Sequence, residues 1–98
     1  MTNKRILRFQ LFAPGTLIDR YGGSSGTFVS PKGTPFAWRS LPTSAESRPI
    51  TVYEVLKPLE VEAGPTRSWF GQPGLGVQYE LPNTIEQLIN SGFLRAIK

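Results

Sequence analysis

The sequence predicts a small α+β fold, a domain of short and mostly antiparallel strands with one C-terminal helix. Brief apolar stretches alternate with turns, and Gly and Pro supply 10 and 9 of the 98 residues. Residues 50–56 alternate with the period of a strand, and residues 83–92 combine the apolar spacing of a helix with residues that cap its ends. A chain of this length is expected to be one domain, residues 1–98, with a small core.

The first half of the chain is expected to be rich in loops. The apolar residues among the first 12 fit either a strand or a short helix, because their period is ambiguous. Short strands are expected at Leu17 and Ile18, and again at Phe28 and Val29, between segments dense in Gly, Pro and Ser. Arg8 and Gln10 interrupt the first apolar run, and no small-residue cleavage site follows it, which argues against a signal peptide.

The second half has the clearer elements. A strand is expected over residues 50–56, a second over 59–62 after the break at Pro58, and a third over 77–81. The helix is expected near residues 84–90, with Asn83 or Thr84 as its N-cap, Gln87 completing a capping box, and Gly92 ending it. Its apolar face would contain Ile85, Leu88 and Ile89, and residues 93–97 would return as an edge strand.

Composition excludes several classes of site. The chain has no cysteine, which removes disulfides, thiolate metal sites and cysteine nucleophiles, and no histidine, which removes the Ser-His-Asp triad and histidine-ligated zinc. We therefore expect no metal. The net charge of +4 comes from 11 dispersed basic residues, a pattern unlike a basic arm for nucleic acid. No apolar run approaches the roughly 18 residues of a membrane span.

Two arginines and one aromatic residue stand out in the loop-rich half. Arg20 precedes YGGSSG and Arg39 lies between PFAW and SLP, so both belong to Gly- or Pro-rich segments flanked by aromatic residues. Taken singly, each is typical of a solvated arginine, and Phe28 is typical of a core residue. Together, two such arginines could bind a pyrophosphate through bidentate hydrogen bonds. The strand glutamates are typical of a solvated face, so no carboxylate pair is nominated.

The stretch WFGQPGLGVQYELP, residues 69–82, frames two glutamines with Gly and Pro. Its GLG is an incomplete GxGxxG that leads into a strand, which argues against a Rossmann dinucleotide site. Gln78 lies in the strand after the turn, where geometry is firmer, whereas Gln72 is expected to shape the turn itself. Taken alone, Gln78 is also compatible with a solvent-facing strand amide.

Three segments together resemble the catalytic domain of the tuberculosis necrotizing toxin family of bacterial and fungal NAD(P) glycohydrolases. They are DRYGGSSGTFVSPKGTPFAWRSLP, VYEVLKPLEVEAGPTRSWFGQPGLGVQYELP and IEQLINSGFLRAI, and the resemblance covers about residues 16–97. It implies an NAD pocket lined by Arg20, Phe28, Arg39 and Gln78, with Gln78 and Arg39 catalytic. Some family members have tyrosine at the position of Phe28, and some have a functionally important histidine that this histidine-free chain lacks. Phenylalanine keeps the stacking surface of tyrosine but not its hydroxyl.

The implied function is hydrolysis of the nicotinamide–ribose bond of NAD+ or NADP+, which are substrates; no cofactor is expected. The resemblance further implies a toxin that is secreted or delivered into the cytoplasm of a target cell, where it depletes NAD(P). Such a domain would form the C-terminal part of a larger toxin and would have a cognate immunity protein as partner. Arg48 and Arg67 are candidates for the basic residue that would bind the 2′-phosphate of NADP+.

Two alternatives stay open at the level of sequence. An ADP-ribosyltransferase would use the same substrate but would need a glutamate near the ribose, and Glu80 shares a strand face with Gln78 only if the strand is regular. A small basic module with exposed aromatic residues could instead bind single-stranded nucleic acid by stacking and phosphate contacts.

Overall fold

Seven strands form the framework of this protein in a computed structural model, which describes residues 8–39, 41, 43–65 and 76–97. The sheet has the order β1-β5-β6-β3-β2-β4-β7, and each neighbouring pair is antiparallel. The strands are β1 Arg8–Phe12, β2 Leu17–Tyr21, β3 Phe28–Pro31, β4 Ile50–Val55, β5 Leu59–Pro65, β6 Val77–Glu80 and β7 Leu94–Ala96. One α-helix, α1 Ile85–Asn90, follows β6. The predicted antiparallel strands and C-terminal helix are therefore present, and more of the described residues lie in strands than in the helix.

The hydrophobic core lies on one face of the sheet. Side chains alternate between the faces of a strand, so the register decides which of them point inward. Tyr53 and Val55 of β4 are buried, whereas Ile50 at the start of the same strand is exposed. Helix α1 buries Ile85 and Leu88 in the same cluster. The complete cluster is Phe12, Ile18, Val29, Tyr53, Val55, Leu59, Val61, Leu81, Ile85, Leu88 and Leu94.

Both ends of α1 are capped as the sequence predicts. Thr84 is the N-cap: its hydroxyl accepts from the Gln87 amide at 3.2 Å, and the Gln87 side chain accepts from the Thr84 amide at 3.1 Å. At the C-terminus Gly92 has φ of 84°, its N–H donates to Ile89 O, and the Phe93 N–H donates to Leu88 O. These bonds form a Schellman motif. The apolar stripe is narrower than predicted, because Ile89 is 36% exposed.

Two short 3-10 helices, Phe36–Arg39 and Thr43–Ser47, were not predicted from the Gly-, Pro- and Ser-rich sequence. The first begins directly after Pro35, whose carbonyl accepts from the Trp38 N–H at 3.0 Å. This element places Arg39 beside the face of the sheet opposite the core. In the described part of the chain, no helix is long and apolar enough to cross a membrane.

Candidate active site

A small depression, with a cavity volume of about 50 Å³, lies on the face of the sheet opposite the core. Its wall is made by strands β2, β3 and β6 together with the segment that contains the first 3-10 helix. The residues that line it are Asp19, Arg20, Tyr21, Phe28, Val29, Ser30, Arg39, Leu41 and Gln78. The structure thus brings together Arg20, Phe28, Arg39 and Gln78, which come from distant parts of the sequence. Gln72 and Arg67 lie outside the described residues.

Strand register produces this grouping. Asp19 lies opposite Ser30 in the β2–β3 pair, and the β3–β6 pair aligns Val29 with Tyr79, so the next position places Ser30 beside Gln78. Asp19, Ser30 and Gln78 consequently form one row across three strands on the same face. Adjacent strands are separated by about 4.8 Å, which places the two ends of the row two such spacings apart.

Gln78 presents its side-chain amide to the depression. It is half-buried, and across the β5–β6 pair it faces Gly64, which has no side chain to cover it. Within the described residues, no group donates to or accepts from its side-chain amide. An amide held on a paired strand with both of its polar atoms available can bind a ligand hydroxyl or orient a water molecule.

Phe28 also lines the depression, and in the β3–β6 pair it lies opposite Glu80, two residues before Ser30. It is 39% exposed, which is high for a phenylalanine and contrasts with Val29, its buried neighbour on the other face. The ring therefore offers an aromatic surface to a planar ligand.

Arg39 is buried, and three contacts hold its guanidinium. Its exposed fraction is 6%, its Nη2 lies 2.7 Å from Asp19 Oδ1, and its Nε donates to Thr34 O at 2.9 Å. The angles of the contact with Asp19 fall outside the range of a hydrogen bond, so the contact is an ion pair. The Tyr21 ring centre lies 4.9 Å from the guanidinium carbon. Arg39 is therefore a fixed part of the wall and not a solvated loop side chain.

Arg20 belongs to β2, and its guanidinium donates hydrogen bonds to the loop between β2 and β3 and to the first residue of β3. Its Nε donates to Gly23 O at 2.8 Å and its Nη1 to Phe28 O at 3.0 Å. The guanidinium lies so close to Gly26 that a side chain there would overlap it. The same loop accepts from the start of α1, through Ile85 N to Gly26 O and Glu86 N to Ser24 O. Arg20 thus fixes a loop that joins the wall of the depression to the helix.

The acidic residues of this sheet face divide into two groups. Strand β6 is regularly paired on both sides, so Glu80 shares a face with Gln78. Glu80 nevertheless lines a separate groove with Phe9, Glu60 and Glu62, whereas Asp19 is the acidic residue in the wall of the depression. The described residues contain no group of three or more acidic, histidine or cysteine side chains suited to a metal ion.

The profile of one family, Tuberculosis necrotizing toxin, matches residues 11–97. The chain belongs to the tuberculosis necrotizing toxin family. The match contains every residue that lines the depression, and it extends over the segments in which the sequence resembles the family.

A curated relative of this family member is the conidial surface nicotinamide adenine dinucleotide glycohydrolase nadA of Aspergillus fumigatus. The two are 39% identical over 90 residues, which cover 85% of this chain and 38% of the relative. The chain therefore spans less than half the length of that protein.

Solved structures with the same fold include the tuberculosis necrotizing toxin complexed with its immunity factor IFT. That toxin superimposes with a TM-score of 0.70 at 23% identity, over 89% of this chain and 54% of the other. Rhs1-CT in complex with its cognate immunity protein RhsI1 gives 0.64 at 20% identity, over 94% and 77%. Tse6 in complex with Tsi6 gives 0.58 at 16% identity, over 96% and 73%. At these identities the likeness shows the fold.

Besides the core residue Val29, four residues that line the depression in this family member were not predicted as site residues: Asp19, Tyr21, Ser30 and Leu41. Asp19 had a signal that could have found it. It is the first acidic residue of the chain and the only one before Glu46, and it follows two apolar residues in an expected strand. An isolated carboxylate in an apolar strand is either solvated or paired, and pairing is what the structure has. Tyr21, Ser30 and Leu41 carry no comparable signal.

Proposed function

We propose that this member of the tuberculosis necrotizing toxin family is an NAD(P)+ glycohydrolase, which hydrolyses the bond between nicotinamide and ribose. The family match and the glycohydrolase named among its relatives support the reaction. The observation that carries the proposal is the depression itself. Its lining comes from four segments and contains an exposed aromatic ring, two arginines and a strand amide that forms no hydrogen bond with any described residue.

The reaction suits a site without histidine or cysteine. Nicotinamide bound to ribose is a cationic leaving group, so when the glycosidic bond breaks, the bonding electrons move to nitrogen and neutral nicotinamide departs without needing a proton. Positive charge then develops on the ribose, as in glycoside hydrolysis. A water oxygen bonds to the anomeric carbon and its proton is released to solvent. The protein must hold the substrate, stabilise the developing charge and admit one water molecule.

The residues of the depression divide these tasks. Phe28 stacks on the nicotinamide, and Gln78 binds the ribose hydroxyls or orients the attacking water. Arg20 and Arg39 bind the pyrophosphate, and Arg39 also contributes to catalysis. Because Nε and Nη2 of Arg39 are already engaged by Thr34 and Asp19, the arginine acts as a fixed charge whose orientation is set before substrate binds.

We also propose the biological setting that the family implies. The domain would be the C-terminal part of a larger toxin, secreted or delivered into a target cell, and depletion of NAD(P) would be its toxic effect. The solved structures of similar fold are complexes with immunity proteins. A cognate immunity protein for this domain is accordingly part of the proposal.

Incubation of the purified chain with NAD+ or NADP+, followed by chromatography of the products, tests this function. We expect free nicotinamide together with equimolar ADP-ribose, or its 2′-phosphate. Label transferred from adenine-labelled NAD+ to an added protein would instead indicate an ADP-ribosyltransferase. A folded chain that releases no nicotinamide and binds single-stranded oligonucleotides would contradict the proposal in favour of a nucleic-acid-binding module.

A further inference from the structure

Asp19 is a buried carboxylate in the wall of the depression, and the proposed reaction gives it no task. Its exposed fraction is 2%, and it belongs to β2, which lies between β3 and β4 in the sheet. Burial of a carboxylate is unfavourable unless the charge is paired and its oxygens have partners. The partners of the two oxygens of Asp19 therefore indicate its role beside the candidate site.

The two oxygens of Asp19 hold two points of one segment. Oδ2 accepts from the backbone N–H of Gly33 at 3.0 Å, and Oδ1 pairs with Nη2 of Arg39 at 2.7 Å. Gly33 forms the turn after β3, with φ of 87°, and Arg39 ends the first 3-10 helix. One side chain of the sheet thus ties both ends of the segment between Gly33 and Arg39 to the face that carries Gln78.

The other two contacts of Arg39 are with uncharged groups. The Thr34 carbonyl that accepts from Nε belongs to the same segment, and Tyr21 supplies a ring and no charge. Asp19 is therefore the anionic partner that fixes the guanidinium relative to the sheet. It also neutralises the arginine, so the described charged side chains lining the depression, Asp19, Arg20 and Arg39, sum to one positive charge.

We propose that Asp19 is a positioning residue of the substrate site, acting through Arg39. This inference rests on the proposed glycohydrolase function. Asp19 sets the orientation of the guanidinium before substrate binds, and its charge keeps the wall from carrying two uncompensated cations beside a substrate whose ribose becomes positive during the reaction.

The substitution Asp19→Asn tests this, because asparagine keeps the size of the side chain and an oxygen for the Gly33 N–H but loses the charge. With NAD+ as substrate we expect KM to rise about tenfold, because the guanidinium of Arg39 loses the charged partner that orients it. The matched control is Glu54→Gln on the neighbouring strand β4, which removes an exposed ion pair of the same length, 2.7 Å to Arg95, away from the depression. The control should keep the wild-type KM.

A second measurement needs no turnover. Nitrogen NMR of the arginine side chains follows the Nε–H of Arg39, which donates to Thr34 O in the wild-type protein. In folded Asp19→Asn we expect this signal to exchange with solvent faster or to broaden, and in Glu54→Gln to be unchanged. Wild-type exchange of this signal in folded Asp19→Asn would overturn the proposal, as would a wild-type KM.

A double variant covers the case in which Asp19→Asn does not fold. KM is compared between Arg39→Gln and the double variant Asp19→Asn/Arg39→Gln, which removes both buried charges. If Asp19 acts through Arg39, the two have the same KM; a further tenfold rise in the double variant would overturn the proposal. If the wild-type chain releases no nicotinamide, the proposed function has failed, and the Nε–H measurement alone decides whether Asp19 holds Arg39.

Discussion

At the scale of single residues, Gln78 differs from the two arginines of the depression because no described residue forms a hydrogen bond with its side-chain amide. Arg20 and Arg39 donate side-chain hydrogen bonds to backbone carbonyls, whereas no described residue forms a hydrogen bond with the Gln78 side chain. In the proposed reaction, this amide is therefore able to form a hydrogen bond with the ribose as the ribose acquires positive charge. Such an interaction strengthens toward the transition state and is expressed in kcat more than in KM.

The first residue-scale prediction is that Gln78→Ala lowers kcat by about a hundredfold or more, roughly 3 kcal/mol, with KM nearly unchanged. Steady-state release of nicotinamide measures both constants. The control is Gln10→Ala, which removes another strand glutamine that is exposed on β1 and distant from the depression. A folded Gln78→Ala protein with wild-type kcat would show that the amide does not take part in the reaction.

Gln78→Glu should be inactive or should shift the products toward a covalent or transferred ribosyl group, because a carboxylate can trap the cationic ribose.

The residues of the site were predictable to the extent that they occur in recognisable segments. Arg20, Phe28, Arg39 and Gln78 follow from the resemblance to the family, and the structure places all four around one depression. Their surroundings were not predictable. The burial of Arg39 depends on Asp19, 20 positions earlier, and on a 3-10 helix in a segment that reads as loop. Such a contact is formed by strand register and tertiary packing, which no local pattern encodes.

At the scale of elements, the helix is the most predictable part of the fold, because its signals are local. Thr84, Gln87 and Gly92 perform the capping that the sequence indicates, and the choice between Asn83 and Thr84 is settled by the hydroxyl of Thr84. Six of the seven described strands were located within a few residues, and the first was left open between a strand and a short helix. The order of the strands in the sheet depends on pairing between distant segments. β5 lies between β1 and β6, and β2 between β3 and β4, an arrangement that turn residues do not reveal.

The element-scale prediction is that Thr84→Ala lowers the free energy of unfolding by about 1 kcal/mol, because the Gln87 amide loses its acceptor at the N-terminus of the helix. Urea unfolding followed by circular dichroism measures the change. Asn83→Ala serves as the control, since Asn83 is the neighbouring candidate for the cap but does not occupy that position. Equal destabilisation by the two substitutions would contradict the assigned cap.

At the scale of the whole molecule, the sheet separates stability from function. One face and α1 form the core, and the opposite face carries the depression. The two are joined through the loop that Arg20 fixes, which accepts from the first amides of α1. The end of α1 that is distant from this loop contributes mainly to the core, so a change there should affect folding without altering the site.

The last prediction tests this separation with two adjacent residues of α1. Leu88 is 2% exposed and Ile89 is 36% exposed, so truncation of Leu88 leaves a cavity in the core whereas truncation of Ile89 does not. We expect Leu88→Ala to lower the free energy of unfolding by about 2–5 kcal/mol, and Ile89→Ala to have a much smaller effect. Urea unfolding gives both values, and nicotinamide release is measured in the absence of urea at a temperature where each variant is folded. Per folded molecule, kcat and KM should remain those of the wild type, because the cavity lies on the core face and Gln78, Phe28 and Arg39 keep their contacts. A large loss of kcat in folded Leu88→Ala would show that the core and the site are coupled more tightly than the two faces of the sheet imply.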